Sequence, residues 1–337
     1  YYITPMRLVD EILIRSYLND GKTIDLDTIE LPAFKFFKSK YWNRPDVYKI
    51  VPENKRREQE TIYQRVFAKM SSSPTEDVYK QKIIPALEYI EKSGLYTKDG
   101  MEYSKYNPYT LTGRPSNTKQ GINYAALNKE DGSRDRFVSR FDSGLLLEFD
   151  FDAYHLRLIA NLIGYDFPEK SVHDHLGKMY FDSDRLTKDE YEESKRISFR
   201  VLYGGIPKEF ENIDYFKSVK NYIFELWDIY NGKGYIETPI FKRRFYKINY
   251  EEMNPQKLFN YLIQAYETEK NIEVILSIQE LLKDKKTKMI LYTYDSLLFD
   301  ISPADGKNIV GEIHKLMDMP TKAKYGKNYG DMKPLKL

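Results

Sequence analysis

The chain has 337 residues, with 53 basic and 51 acidic side chains and a net charge of +2. It has no cysteine, which excludes disulfides, thiolate catalysis and cysteine-ligated zinc, and its four histidines leave little material for a histidine metal site. No apolar run is long enough to span a membrane, and no signal peptide opens the chain. The length predicts two or three subdomains.

The first hundred residues predict a helical lobe outside the main sheet. Residues 6–25 form an amphipathic pattern that predicts a helix ending near Gly21, and residues 55–70 predict a second helix. A third helix is predicted from about Thr75, with an interruption at Pro85 because proline removes a helical hydrogen-bond donor.

Basic residues form local clusters although the net charge is near zero. Several are interleaved with tyrosine and phenylalanine, which is typical of surfaces that follow a phosphate backbone. A solvated helix face or loop is the favoured explanation of any single cluster. The clusters are Lys35/Lys38/Lys40, Lys55/Arg56/Arg57, Lys242/Arg243/Arg244, Lys283/Lys285/Lys286/Lys288 and the tail at 322–336.

A strand followed by a helix is predicted around Asp150. Residues 145–149 are short, apolar and β-prone, and the spacing of apolar residues then changes to that of a helix ending at Gly164. Asp150 and Asp152 therefore lie at a sheet edge, where an acid is either solvated or binds a cation.

Residues 187–190 form a capping box, which predicts the start of a helix that Gly204 and Gly205 end. Lys195, Phe199 and Tyr203 are four residues apart and share one face of it. That face offers a cation, a flat ring and a phenol to one partner. The alternative is a helix that packs both aromatic rings into a core.

A hairpin with Asp295 at its tip is predicted over residues 288–302. If it pairs beside the first strand, Asp150 and Asp295 come from strands about 4.8 Å apart. Two carboxylates that close repel each other unless cations lie between them. Such a pair would hold two Mg²⁺ ions about 3.5–4 Å apart, the arrangement that performs nucleotidyl transfer.

Several motifs, in order and spacing, resemble those of the DNA polymerase I family (family A), from about Met6 to the C-terminus. Each motif alone is weak, but the ordered set is specific. Asp150 with Leu156-Arg157 resembles motif A, and Tyr294-Asp295-Ser296 occupies the place of motif C. The others are Thr112-Gly113-Arg114-x-Ser116, Lys195-x-x-x-Phe199-x-x-x-Tyr203-Gly204 (motif B), Gly234-Tyr-x-Glu-Thr238 with Arg243-Arg244, Asn260 with Gln264, and Gly326-x-Asn328-Tyr329.

The resemblance implies an α+β, right-hand polymerase fold with an antiparallel-sheet palm, helical fingers and a helical thumb. The implied divisions are a palm entry helix at 1–25, the thumb at 26–98, palm at 99–165 with motif A, fingers at 166–247 with motif B, and palm at 248–337 with motif C.

The implied activity is DNA-directed DNA synthesis, in which a primer 3′-hydroxyl attacks the α-phosphate of a deoxynucleotide (dNTP) and pyrophosphate leaves. Asp150, Asp295 and the backbone carbonyl of Phe151 would bind two Mg²⁺ ions, with Mn²⁺ as a substitute, and Lys195 would act on the phosphates. The implied nucleotide contacts are Lys195, Phe199, Tyr203, His155 and Arg196, and the implied DNA contacts are Arg114, Ser116, Asn123, Asn260, Gln264, Arg243, Arg244 and Tyr294.

The chain departs from the family pattern at motif A. His155 stands where the family has a glutamate that excludes the ribose 2′-hydroxyl, so discrimination against ribonucleotides is in question. Phe151 replaces the tyrosine beneath that glutamate.

Motifs B and C also depart from the pattern. Tyr294 and Ser296 replace the histidine and glutamate that flank the motif C aspartate, and Asp152 is either a substitute for the lost charge or a solvated turn residue. Tyr191 replaces an arginine of motif B, which leaves triphosphate binding to Lys195 and Arg196. The departures suggest a divergent branch of phage or viral origin.

Two other functions stay open: a single-subunit RNA polymerase relative and a catalytically inert nucleic-acid-binding protein on the same scaffold. The expected partners are primer–template DNA, dNTPs and a processivity factor or replisome proteins, for a monomer without membrane contact that is cytoplasmic, in a host cell if phage-encoded. An upstream 3′–5′ exonuclease domain of the family has no counterpart here, so either the protein never had one or the chain is the polymerase region alone.

Overall fold

The computed structural model describes residues 7–34, 50–119, 122–128, 130–168 and 171–337. The predicted basic cluster at Lys35, Lys38 and Lys40 lies outside them. Among the described helices, none is both long enough and apolar enough to cross a bilayer.

Helices occupy the first part of the chain, as predicted. Gly21, at φ 72°, ends the first one in the left-handed conformation that glycine adopts readily. The helices are α1 (Leu8–Asp20), α2 (Glu53–Lys69), α3 (Glu76–Val78) and α4 (Ile84–Ser93).

The predicted interruption at Pro85 is wrong. Pro85 lies in the first turn of α4, where a missing N–H costs little. A π turn over Tyr79–Ile83 joins α3 to α4, and the Ile84 N–H donates to the Tyr79 carbonyl. The helical segment therefore continues past the proline in a wider register.

A five-stranded antiparallel sheet forms the centre of the described structure. Its strands, in the order in which they pair, are β12 (Lys333–Leu335), β11 (Thr321–Gly326), β6 (Leu145–Phe151), β10 (Ser296–Ile301) and β9 (Lys288–Thr293). Successive side chains of β6 point to opposite faces, so Leu147 and Phe149 enter one hydrophobic core and Leu146 enters another.

Smaller sheets lie around this centre. They consist of β1 (Leu95–Thr97) with β2 (Gly100–Glu102), β3 (Tyr106–Asn107) with β4 (Ser116–Lys119) and β5 (Ile122–Asn123), and β7 (Tyr235–Glu237) with β8 (Arg244–Tyr246).

The remaining helices form a second lobe and cover the central sheet. They are α5 (Tyr154–Ile163), α6 (Val172–Phe181), α7 (Lys188–Gly204), α8 (Asp214–Lys233), α9 (Pro255–Leu281) and α10 (Ile309–Leu316).

Helix α9 belongs to both hydrophobic cores. Its first half, with Leu258 and Leu262, packs in the core of the second lobe. Its second half, with Ile272 and Ile275, packs against the central sheet. With 27 residues, the helix is about 40 Å long.

Candidate functional site

Asp150 lies where three strands of the central sheet meet. On β6 it is directly opposite Ser296 of β10 and Lys322 of β11. The Phe151 N–H donates to the Asp295 carbonyl over 2.8 Å. The predicted hairpin beside the first strand is confirmed, and it brings the backbones of Asp150 and Asp295 to one edge.

The tip of the hairpin is a strained two-residue turn. Tyr294 has a φ of 59°, a left-handed conformation that is costly for an aromatic residue. Its carbonyl accepts a 2.6 Å hydrogen bond from the Asn271 side chain. The Arg114 guanidinium lies 3.8 Å from the centre of its ring. These two contacts hold Asp295 in place.

The two acids are accessible to ligands. Asp150 is half-buried and Asp295 is exposed. Protein atoms that displace water from the Asp295 carboxylate, and then the negative charge of Glu267, raise the pKa of Asp295 above its ordinary value.

The donor chemistry at this edge fits Mg²⁺, which prefers oxygen ligands and keeps several from water or substrate. A cation would offset the unfavourable charge at Asp295. The described residues contain no cluster of three or more acidic or histidine side chains arranged for a metal. Asp150 and Asp295, with the Phe151 carbonyl as a predicted third ligand, are therefore the candidates to hold it.

Asp152 is engaged with two cations. Its carboxylate pairs with Lys322 and lies 3.3 Å from the Arg157 guanidinium. Burial alone would raise the pKa of Asp152, but Lys322 and then Arg157 lower it. Since it is neutralised there, nothing favours the alternative in which Asp152 replaces the charge missing from motif C.

The face of α7 combines a cation with two exposed rings. The predicted capping box is confirmed, since Thr187 and Glu190 bond reciprocally at the start of the helix. The Phe199 and Tyr203 rings are 52% and 40% exposed and lie parallel, with centroids 6.4 Å apart. The alternative in which both rings fill a core is wrong. Lys195 lies 4.4 Å from the centre of the Tyr191 ring and 2.9 Å from Glu192.

A polar stripe on α9 faces these elements. Asn260, Gln264, Glu267 and Asn271 are three or four residues apart and therefore lie on one side of the helix. Asn260 and Gln264 are half-exposed, whereas Glu267 and Asn271 are buried. The buried pair contacts His155, Arg114 and the hairpin tip.

Comparison with known proteins supports a common architecture. The polymerase (POL) domain of Pol1 from M. smegmatis, solved in complex with DNA primer-template and dNTP, superimposes over 96% of this chain and 64% of its own, with a TM-score of 0.57 and 17% sequence identity. The fold is that of a polymerase domain.

Sequence relatives agree with the polymerase fold at low identity. DNA polymerase I of Streptococcus pneumoniae is 25% identical over 248 residues, covering 61% of this chain and 28% of the relative. That of Geobacillus stearothermophilus is 21% identical over 334 residues, covering 88% of this chain and 36% of the relative. The chain thus spans about a third or less of the length of these relatives. No protein-family model matches it.

The structure gives Arg243 a different environment from the predicted DNA contact. It is 4% exposed, its guanidinium lies 4.5 Å from the centre of the Tyr17 ring, and it donates to the Leu111 carbonyl. Gly113, at φ 82°, leaves room for it, since a Cβ there would collide with the guanidinium. Arg243 therefore supports the loop that carries Arg114.

The other predicted contacts are spread over the surface of the polymerase fold. Arg244 is half-exposed and bonds Glu237 over 2.9 Å. Arg196 is 73% exposed and pairs with Glu193, one position round the helix from Lys195. Ser116 is half-exposed on β4, and Asn123 is exposed at the end of β5.

Sequence reasoning missed three residues of the site: Glu267, Asn271 and Lys322. The first two continue the helical spacing of Asn260 and Gln264, so extending that pattern would have found them. Lys322 reads in sequence as part of the basic tail, because its place opposite Asp150 follows from strand pairing that is not visible in the sequence.

Proposed function

We propose that the chain is a DNA-directed DNA polymerase of the DNA polymerase I type (family A), which extends a primer 3′-hydroxyl with dNTPs and releases pyrophosphate. One observation carries the proposal. Asp150 and Asp295 share a sheet edge beside the exposed cation-and-ring face of α7. That arrangement lies on a fold shared with a polymerase domain solved with primer-template and dNTP.

The division into subdomains is part of this proposal. Residues 1–25 form the palm entry helix and 26–98 the thumb. The fingers comprise 166–247, around α7. The palm consists of 99–165 and 248–337, and its sheet carries both acids.

In this mechanism Asp150 and Asp295, with the Phe151 carbonyl, would hold two Mg²⁺ ions. The chemistry that such a pair would supply is a lower pKa of the 3′-hydroxyl and neutralisation of charge on the phosphates. The primer oxygen forms a bond to the α-phosphorus as the bond to the bridging oxygen of pyrophosphate breaks. The two acids contribute because strand pairing fixes their positions relative to each other before the substrate binds.

The chain's own cations bind the triphosphate. Lys195 offers its ammonium from the α7 face, and Lys322, which lies directly opposite Asp150 and pairs with Asp152 in the absence of substrate, offers a second one. Tyr191, which stands where the family has an arginine, lies under Lys195 and fixes that ammonium by a cation–π contact. Lys322 thus supplies charge that Tyr191 cannot.

The exposed rings of Phe199 and Tyr203 stack on the nascent base pair. Arg114, Asn260 and Gln264 contact the primer–template at its minor-groove edge, where pair geometry is checked without reading sequence. Ser116, Asn123, Arg244 and Tyr294 are further proposed DNA contacts, and Arg243 acts through the Arg114 loop.

Primer extension with Mg²⁺ on a primed DNA template, with deoxy- and ribonucleotides supplied separately, tests the proposal. Extension with dNTPs is the expected result. Preference for ribonucleotides would instead indicate an RNA polymerase-like enzyme. Template binding without extension by either set would indicate an inert binding protein.

A further inference from the structure

Glu267 has its carboxylate buried between two partners. Its side chain is 1% exposed, and Oε2 lies 2.8 Å from Nε of Arg114. The Arg114 Nη2 donates to Oε1 over 3.1 Å. Nε2 of His155 is 3.2 Å from the same Oε1. A buried carboxylate needs such compensation, and Arg114 is the partner that supplies it.

His155 connects this carboxylate to the α7 face. Its Nδ1 is hydrogen-bonded to the Tyr203 hydroxyl. Burial, and then the charge of Glu267, raise the pKa of Tyr203 to about 12, so its hydroxyl keeps its proton at neutral pH. When Nδ1 accepts the Tyr203 proton, the ring proton lies on Nε2, which is 3.2 Å from Oε1 of Glu267, close to the carboxylate although the geometry is not that of a hydrogen bond. The charge of Glu267 thereby favours this tautomer.

The connection ends at a surface open to a ligand. Tyr203 and Phe199 present parallel rings to solvent. A shallow pocket beside them is lined by Ala153, His155, Leu156, Phe199 and Leu202. His155 is thus at once a wall of this pocket and the anchor of the Tyr203 hydroxyl.

We propose that Glu267 is a positioning residue for sugar discrimination: through His155 it fixes the Tyr203 hydroxyl and the pocket wall against which the sugar of the incoming nucleotide lies. This rests on the proposed function. A nucleotide stacked on Phe199 and Tyr203 brings its sugar to the His155 side. A fixed wall there leaves no room for a 2′-hydroxyl and offers it no free hydrogen-bonding partner.

Loss of the negative charge of Glu267 should loosen the pocket wall at His155 but leave the imidazole in place. Glu267→Gln replaces one carboxylate oxygen by an amide NH2 group and removes the charge, so the contacts of both Arg114 and His155 with this side chain weaken. His155 then loses its fixed tautomer, and the Tyr203 hydroxyl becomes free to turn toward a ribose. The ratio of kcat/KM for deoxy- over ribonucleotides should fall by about 10- to 100-fold, the range over which a pocket typically rejects a substrate with one added group.

A matched control is available two residues further along α9. Glu269 is also a buried carboxylate, but it bonds Thr238 and the Ile240 N–H on another side of the helix. Glu269→Gln should leave the sugar ratio unchanged, even if it lowers thermal stability.

Tyr203→Phe supplies a test that does not depend on how well the Glu267 variant folds, because it removes only a hydroxyl from an exposed ring. It should lower the sugar ratio as Glu267→Gln does, and the double variant should show no further loss, since both act through one connection. Wild-type sugar discrimination in either single variant, or additive losses in the double variant, would overturn the inference. Absence of primer extension by the unaltered protein would instead refute the proposed function.

Discussion

The acid edge of the sheet and the exposed face of α7 are built in opposite ways. Asp150 and Asp295 are placed by strand register and by a strained turn that Asn271 and Arg114 hold. Phe199 and Tyr203 project into solvent. The first region is held by contacts within the protein, whereas the second, in the proposed function, makes most of its contacts with the nucleotide. A mutation in the support of the acid edge should therefore lower both stability and activity, whereas a mutation on the α7 face should lower activity alone.

The largest effect is expected at the acids. Asp150→Ala and Asp295→Ala should each reduce primer extension by at least about a thousandfold, or about 4 kcal/mol of barrier. Template affinity should change little, as measured by a binding titration. The exposed Asp142, in the turn before β6, is the control for loss of an acid. Near-normal extension by either alanine variant would contradict the assignment.

Asn271→Ala tests whether the hairpin tip is organised in advance. The Asn271 side chain accepts from the Tyr154 hydroxyl and donates to the Tyr294 carbonyl, so its loss should cost about 1–3 kcal/mol of unfolding free energy. Displacement of Asp295 should lower extension by roughly 10- to 100-fold.

The control for this variant is Asn254→Ala, which removes the N-cap of the same helix. It should cost about 1 kcal/mol of stability but leave extension unchanged at a temperature where both variants are folded. Equal activity losses in the two would show that stability alone is responsible.

Phe199→Ala probes the opposite region. The ring is exposed, so the free energy of unfolding should change by less than about 0.5 kcal/mol. Lost stacking of about 1–3 kcal/mol should raise KM for dNTPs by roughly tenfold or more. Phe224 on α8 is equally exposed, at 52%, and Phe224→Ala should leave KM at its wild-type value. A normal KM for Phe199→Ala would exclude base stacking there.

Lys322→Ala tests both regions at once, because this lysine lies opposite Asp150 on the sheet and is proposed to bind the triphosphate. KM for dNTPs should rise by about tenfold, or about 1.4 kcal/mol, with a smaller change in kcat. Lys324, two residues along β11 and opposite Glu148, provides the matched substitution. The idea fails if both lysine variants have the same KM.

The smallest effect concerns an ion pair outside both regions. Burial opposes the charge on Glu76, but Arg15 outweighs it and the pKa of Glu76 is lowered. A depressed folded-state pKa stabilises the protein above the unfolded pKa and ceases to do so as pH falls through the folded value.

Glu76→Gln should therefore lose about 1 kcal/mol or less near pH 7 and flatten the acid limb of a urea-unfolding series. Glu58→Gln, which alters an exposed pair with Lys55, should leave that limb steep. A wild-type acid limb in Glu76→Gln would exclude this linkage.

The sequence predicts best what local pattern determines. The structure confirms three features that neighbouring residues determine: the capping box at Thr187, the helix end at Gly164 and the hairpin around Asp295. The polymerase fold is likewise confirmed. The interruption expected at Pro85 is wrong because a preceding π turn, which has no clear sequence pattern, adjusts the helical register.

Contacts between distant segments could not be predicted. An arginine beside basic neighbours suggests a phosphate contact, yet Arg243 is buried against the Tyr17 ring, far away in sequence. The same holds for Glu267, whose partners His155 and Arg114 come from two other segments. The subdomain bounds stay predictions, and the roles of the site residues are predictions that the experiments above test.

The continuity of α9 through both cores restricts how the molecule can close on a substrate. Because one helix is packed in both cores, we expect the two lobes to move little relative to each other. If α7 approaches Asp150 on substrate binding, we expect it to do so by rotating over α9. We expect such a rotation to occur at Gly204 and Gly205, where α7 ends. A Cβ added at either glycine would meet no atom within 4 Å, and Gly205 has a φ of 96°.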